Sequence, residues 1–154
     1  MLLIIESKGW DTMNTNKLTL EDFTKKAISK FENRKMVTDI EIDSFGGTLT
    51  FTRPTENQLI EYTNDNANAV ETKENSAGKH EVIGMNMPLM LQASKKLLYN
   101  TCSFLRDSEL QKAMNIMDPY DIASQIFGID ESIELAGKVA SEFKDNKVEE
   151  IIKN

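Results

Sequence analysis

The chain offers few side chains of the kind that make or break bonds. Its 154 residues contain one histidine, His80, and one cysteine, Cys102. A histidine base works near neutral pH when a neighbour orients it, and a cysteine nucleophile works as a thiolate beside a histidine or a cation. His80 stands between Lys79 and Glu81 at the end of a polar stretch and reads as an exposed histidine. Cys102 follows Thr101 near the end of an apolar segment, where a thiol behaves as a small buried hydrophobe. Gly46-Gly47 lacks the lysine, the serine-threonine pair or the glycine array that phosphate loops carry, so it reads as turn chemistry. The carboxylate pairs Glu21/Asp22, Asp118/Asp121 and Glu149/Glu150 have the right groups for shared-proton or cation chemistry, yet none sits in an Asp-x-Asp-x-Asp-Gly frame. Asp118 and Asp121 read instead as helix-start residues facing unpaired amides. The sequence therefore names no catalytic, cofactor-binding or metal-ligating residue, and the expectation is that the protein is not an enzyme.

Composition narrows the remaining classes. At 40% hydrophobic and 28% charged the chain has ordinary globular composition, and its length suits one domain burying about 68–70% of its unfolded surface. Eighteen basic against 25 acidic residues give a net charge of -7, which opposes binding to a phosphate backbone, so nucleic acid is not an expected partner. No apolar run approaches the ~18–20 residues of a membrane span. One cysteine cannot form an internal disulfide, which suits a reducing compartment. Met1–Thr12 (MLLIIESKGWDT) lacks the basic start and small-residue cleavage site of a secretion signal. It reads either as a short edge strand or, the favoured reading, as a leader translated upstream of a true start at Met13.

The order of elements predicts an α+β fold. Thr19 with Asp22 approximates a capping box that opens a helix over Asn16–Asn33, with Leu20, Phe23, Ala27, Ile28 and Phe31 along one face. Met36–Ile42 and Thr48–Arg53 are short, β-rich and separated by Gly46-Gly47, the pattern of a hairpin. Thr55 and Gln58, after Pro54, start a short helix through Leu59 and Tyr62. From 64 to 81 the chain is polar, with Val70 the one large apolar residue before Lys79, and it reads as a flexible linker with too little apolar surface to offset ordering. Helical spacing returns with Asn86 and Pro88 and runs to about Asn100. A short helix over Ser108–Met114, an Asp118-Pro119 start closed by Gly128, and a last helix capped by Asp130 complete a helical half. The expected divisions are thus a leader or disordered extension at 1–12, an α-β-β-α subdomain at 13–63, the linker, a helical subdomain at 82–143 and a charged tail at 144–154.

Two features suggest protein binding. Between Arg106 and Glu134, two basic and seven acidic residues give a net of -5, which fits either a solvated face or a basic partner. Five of the eight methionines, Met85, Met87, Met90, Met114 and Met117, fall in the helical half, where they serve as gap-fillers or as an adaptable contact surface.

Together KLTLEDFTKKA, TLTFTRPTENQLIEY, KKLLYNTC, LRDSELQKAM and DPYDIASQIFGIDESIELAGKV, in this order with a polar stretch between the second and third, resemble the XkdN-like tail assembly chaperones of contractile-tailed phages, prophages and phage-tail-like particles. The resemblance covers roughly Lys17 to Phe143 and lies in order and spacing rather than in any one motif. It implies a non-enzymatic, cytoplasmic assembly factor, absent from the mature particle, whose partners are the tape-measure protein and the tail-tube protein. Arg53, Pro54, Leu98, Tyr99, Leu105, Leu110, Asp118, Pro119 and Phe127 match positions of the family pattern and are expected to be mainly structural. The expected partner-binding residues are Tyr99, Tyr120, Asp107, Glu109, Asp121 and Met90. The alternatives are a small structural tail or baseplate component, whose hairpin would offer open edges, and a protein-binding regulatory factor.

Overall fold

Side-chain caps set where the helices begin. In the computed structural model, which describes residues 17–144, Thr19 Oγ1 accepts the Asp22 amide at 3.1 Å and opens helix α1, Leu20–Glu32. The expected leader at 1–12 and the tail beyond Lys144 lie outside the described residues. Helix α1 carries the predicted apolar stripe. No residue of α1 is buried, and Leu20, Phe23, Ile28 and Phe31 are all exposed. The Arg34 guanidinium stands 4.6 Å from the Phe31 ring centre, a cation–π contact at the helix end.

The predicted hairpin is present as β1, Val37–Ile42, and β2, Gly47–Thr52, antiparallel with Ile40 opposite Leu49 and Thr38 opposite Phe51. Thr38, Ile40 and Ile42 alternate inward, as a strand with one buried face requires. Gly46, at φ +66°, takes the left-handed position that closes the turn. Both halves of the Thr55–Gln58 capping box form, at 3.1 and 2.9 Å, and open helix α2, Glu56–Ala69.

Helix α2 is longer than predicted, and the expected linker is a second hairpin. Strands β3, Val70–Glu74, and β4, His80–Met85, pair antiparallel. Backbone pairing and turn chemistry make this possible without an apolar core. Asn75 Oδ1 accepts the amides of Ala77 and Lys79 at 3.0 and 2.9 Å, while Gly78 supplies a φ of +78°, so the turn is held by its own side chain. The Asn86 amide closes the base of the hairpin onto the Ala69 carbonyl at 2.6 Å. The segment 82–143 accordingly begins with strand, not helix.

Asn86 then caps helix α3, Met87–Thr101, with Pro88 in its first turn. A 3₁₀ turn, Ser103–Arg106, leads to helix α4, Ser108–Ala113, and a second 3₁₀ turn, Pro119–Asp121, leads to helix α5, Ile122–Glu142. The predicted division at Gly128 is a break inside α5, where φ 81° and ψ 177° leave the helical region. That combination is almost confined to glycine.

The chain divides into two compact units between Arg34 and Lys35, rather than within 64–81. In the second unit α3 packs against both α2 and α5, and β1 packs against α5. Ile40, Ile42 and Phe51 of the first hairpin share one buried cluster with Leu97, Leu98, Cys102, Leu105, Ile122, Leu135, Val139 and Phe143. The hairpin expected in one subdomain and the helices expected in another therefore have a common core. Among the described residues no helix is long and apolar enough to cross a membrane.

Candidate partner-binding surfaces

The end of helix α3 and the second 3₁₀ turn gather three of the six predicted contact residues. The Tyr99 and Tyr120 rings meet edge to face with centres 4.9 Å apart, a favourable aromatic geometry. Lys95 Nζ donates to Asp121 Oδ1, and Arg106 Nη1 donates to the Tyr99 carbonyl at 2.6 Å. Both tyrosines are half-buried, so each has one side committed to packing. Met90, half-buried one turn before Ser94, contributes its carbonyl to the Ser94 hydroxyl at 2.8 Å.

The other two predicted residues stand apart from that cluster. Asp107 caps α4 by accepting the Leu110 amide at 2.9 Å, and Glu109 is exposed in the first turn of the same helix. Asp118 caps the following turn through the Tyr120 amide at 3.1 Å. Much of the acidic stretch is thus engaged locally: Asp107 and Asp118 by amides, Asp121 by Lys95, and Glu134 by Lys138 at 3.3 Å. These contacts fit the helix-start reading of Asp118 and show what the same charges do at Asp107.

The candidate chemical groups fall as follows. Cys102 is buried with 1% of its surface accessible, and His80 is exposed at the start of β4. Tyr62 lines a groove between α2 and α3 together with Gln58, Glu61, Asp65, Lys96 and Asn100. Burial raises its phenol above the ordinary tyrosine range, with a side-chain hydrogen bond to Asn66 acting the other way, so it stays protonated near neutral pH.

Two surfaces were not legible in the sequence. The first is one face of the second hairpin. Val70 lies opposite Met85 and Thr72 opposite Val82, with a register shift between them that leaves Ile83 as the extra residue of a bulge. Opposed residues share a face, so Val70, Thr72, Val82 and Met85 line one side while Glu71, Lys73, Glu81 and Gly84 line the other. Val82, Ile83 and Met85 are 64%, 62% and 54% exposed. The signal existed as the segment VIGM, but a strict two-residue alternation misses it because the bulge resets the parity.

The second surface joins the first hairpin turn to the break in α5. Phe45 and Phe127 lie with ring centres 5.8 Å apart, and Ser44 Oγ donates to Glu131 Oε1 at 2.6 Å. Beside them Glu41, Asp43, Glu131 and Glu134 line a shallow depression with Ile42, Leu135 and Lys138. Among the described residues no group of three or more histidine, cysteine or carboxylate side chains has an arrangement that could hold a metal ion. Both surfaces offer apolar area and charge, the means of holding another chain. Compared with known proteins, the chain matches no family model, no curated protein and no solved structure.

Proposed function

We propose that this chain is a non-enzymatic phage tail assembly chaperone that binds the tape-measure protein and helps recruit tail-tube subunits. It acts in the cytoplasm of the host cell and leaves before the particle matures. The order of sequence motifs suggests the class, and one structural observation supports it: large apolar side chains, Val82, Ile83 and Met85 on the second hairpin and Phe45 on the first, are held at the surface of a chain whose net charge is -7. A factor that keeps a long amphipathic helix from aggregating needs displaceable apolar contacts together with a charge that opposes its own association. Binding of this kind holds a client dispersed by mass action until a competing subunit takes its place.

Co-expression with the tape-measure protein encoded beside it is the test. The soluble yield of that client should rise, and Val82→Ser with Ile83→Ser should reduce the gain. Because both positions are exposed, the double variant should keep its helical circular dichroism. The reading is rejected by an unchanged client yield, or by a stoichiometric band of this chain in purified mature particles. The latter outcome would favour the second reading, a structural tail or baseplate component, for which the outer edges of the two-stranded sheets, unpaired among the described residues, are the relevant feature.

A further inference from the structure

We infer that the surface around Phe45 and Phe127 docks an amphipathic helix whose apolar stripe is flanked by lysine and arginine. The inference rests on the chaperone reading and deepens it by naming where a client segment sits and what chemistry that segment has. The apolar part is built from two distant pieces of chain: Phe45 is 62% exposed, and Phe127, just before the Gly128 break, packs against it. The Ser44–Glu131 hydrogen bond fixes the turn against the helix, so the aromatic pair does not rely on its own contact for position.

Charge selects the occupant. Four carboxylates, on Glu41, Asp43, Glu131 and Glu134, share the adjoining depression with a single cation, Lys138, which is already paired with Glu134. An apolar ridge beside uncompensated negative charge repels a second acidic surface and attracts a basic one. A second copy of this chain, with its net charge of -7, is therefore a poor occupant. A small molecule is poorer still, because the depression is shallow and open, whereas sites that hold such ligands enclose most of their surface. A helix laid across the surface needs no enclosure: apolar residues spaced three and four apart meet the phenylalanines, and basic residues on its flank meet the carboxylates.

The probe is a synthetic leucine/lysine peptide patterned as an amphipathic helix, titrated by calorimetry into the full chain, with a leucine/glutamate peptide of the same pattern beside it. The lysine peptide should bind, more weakly as salt rises, and the glutamate peptide should not. Phe45→Ser should weaken binding about tenfold, as should Glu41→Lys with Glu134→Lys, since truncating a central aromatic or reversing flanking charge commonly costs that much. Glu56→Lys with Glu74→Lys changes the net charge equally but lies elsewhere, and should leave affinity nearly unchanged. If Phe45→Ser fails to retain helical circular dichroism, Phe45→Ala takes its place. Equal weakening by the two charge-reversal pairs would reduce the effect to net charge and overturn the inference. So would binding of the glutamate peptide, absence of binding, or sedimentation showing a dimer that Phe45→Ser dissociates. A chain that raises the client's soluble yield yet ignores the lysine peptide would remove this surface and leave the chaperone reading standing.

Discussion

Phe51→Ala tests whether the first hairpin and the helices form one cooperative structure. Phe51 is completely buried and lies in the cluster that contains Leu97, Leu98, Ile122, Val139 and Phe143. Truncating a buried phenylalanine to alanine removes its transfer free energy and leaves a cavity, together about 3–5 kcal/mol. A domain of this size has a total stability of about 5–15 kcal/mol, so the variant should lose a fifth or more of it. Its melting temperature should fall by about 6–20 °C. Urea unfolding followed by far-ultraviolet circular dichroism reports chiefly on α2, α3 and α5, none of which contains the substituted residue. The midpoint should shift down with the slope preserved. Amide exchange should show Thr38–Ile42 and Leu97–Cys102 losing protection together. Loss of protection in the hairpin alone, with the helical transition unmoved, would refute the shared core and restore a division between the two halves.

Two further outcomes follow from local contacts. Ser94 and Thr101 donate their hydroxyls to carbonyls four residues back, at 2.8 and 2.7 Å, but the corresponding carbonyl for Ser132 belongs to Gly128, whose ψ of 177° turns it out of the helix. Among the described residues the buried Ser132 hydroxyl has no partner, so Ser132→Ala should raise the urea midpoint by the equivalent of about 1 kcal/mol, and a loss of that size would mean the hydroxyl is bonded. Glu142 is held below the ordinary glutamate range first by the hydrogen bond from the Lys35 ammonium, 2.5 Å away, with a further hydrogen bond from Thr38. A depressed folded-state value adds stability above the unfolded value, and that stability is lost as pH falls through the folded one. Wild type should therefore exceed Glu142→Gln in urea midpoint near neutral pH, with the gap closing below the ordinary glutamate range. Because Glu142 is 43% exposed, the gap should be under about 1 kcal/mol. A constant gap from neutral to acid pH would contradict the assigned charge effect.

What the sequence disclosed was mostly local. The caps at Thr19, Thr55, Asn86 and Asp118 involve partners two or three residues away, and such interactions are written in the spacing itself. The first hairpin was legible for the same reason, with Gly46 at the position its turn demands. The second was not. Its strands VETKE and HEVIGM have little apolar content, and the reading from composition weighed missing burial without weighing the turn that Asn75 and Gly78 encode. For helix α1, periodicity placed Leu20, Phe23, Ile28 and Phe31 on one face, but a pattern of spacing cannot say what that face packs against. Of the predicted contact residues, Tyr99 and Tyr120 do meet. Phe45 escaped notice because its neighbours come from the far end of the chain, as the 87 positions between Ser44 and Glu131 make plain.

The acidic stretch shows why residue counts alone could not separate a solvated face from a binding one. A carboxylate that caps a helix has its favourable interaction at home, and an incoming cation would have to compete with the amide it already holds. Asp107 and Asp118 are of this kind, and Asp121 is matched by a Lys95 whose side chain is only 12% exposed. Such groups add to the net charge without offering a partner much that is new. The carboxylates beside Phe45 differ in arrangement. Glu41 and Asp43 come from the first hairpin and Glu131 and Glu134 from α5, and folding brings them to one depression with an apolar ridge at its border. Glu41 and Asp43 lie outside the segment that drew notice for its charge. The density of charge along the chain was therefore a poor guide to its density in space, because the first hairpin, its turn resting against α5, adds two carboxylates that the helix does not carry.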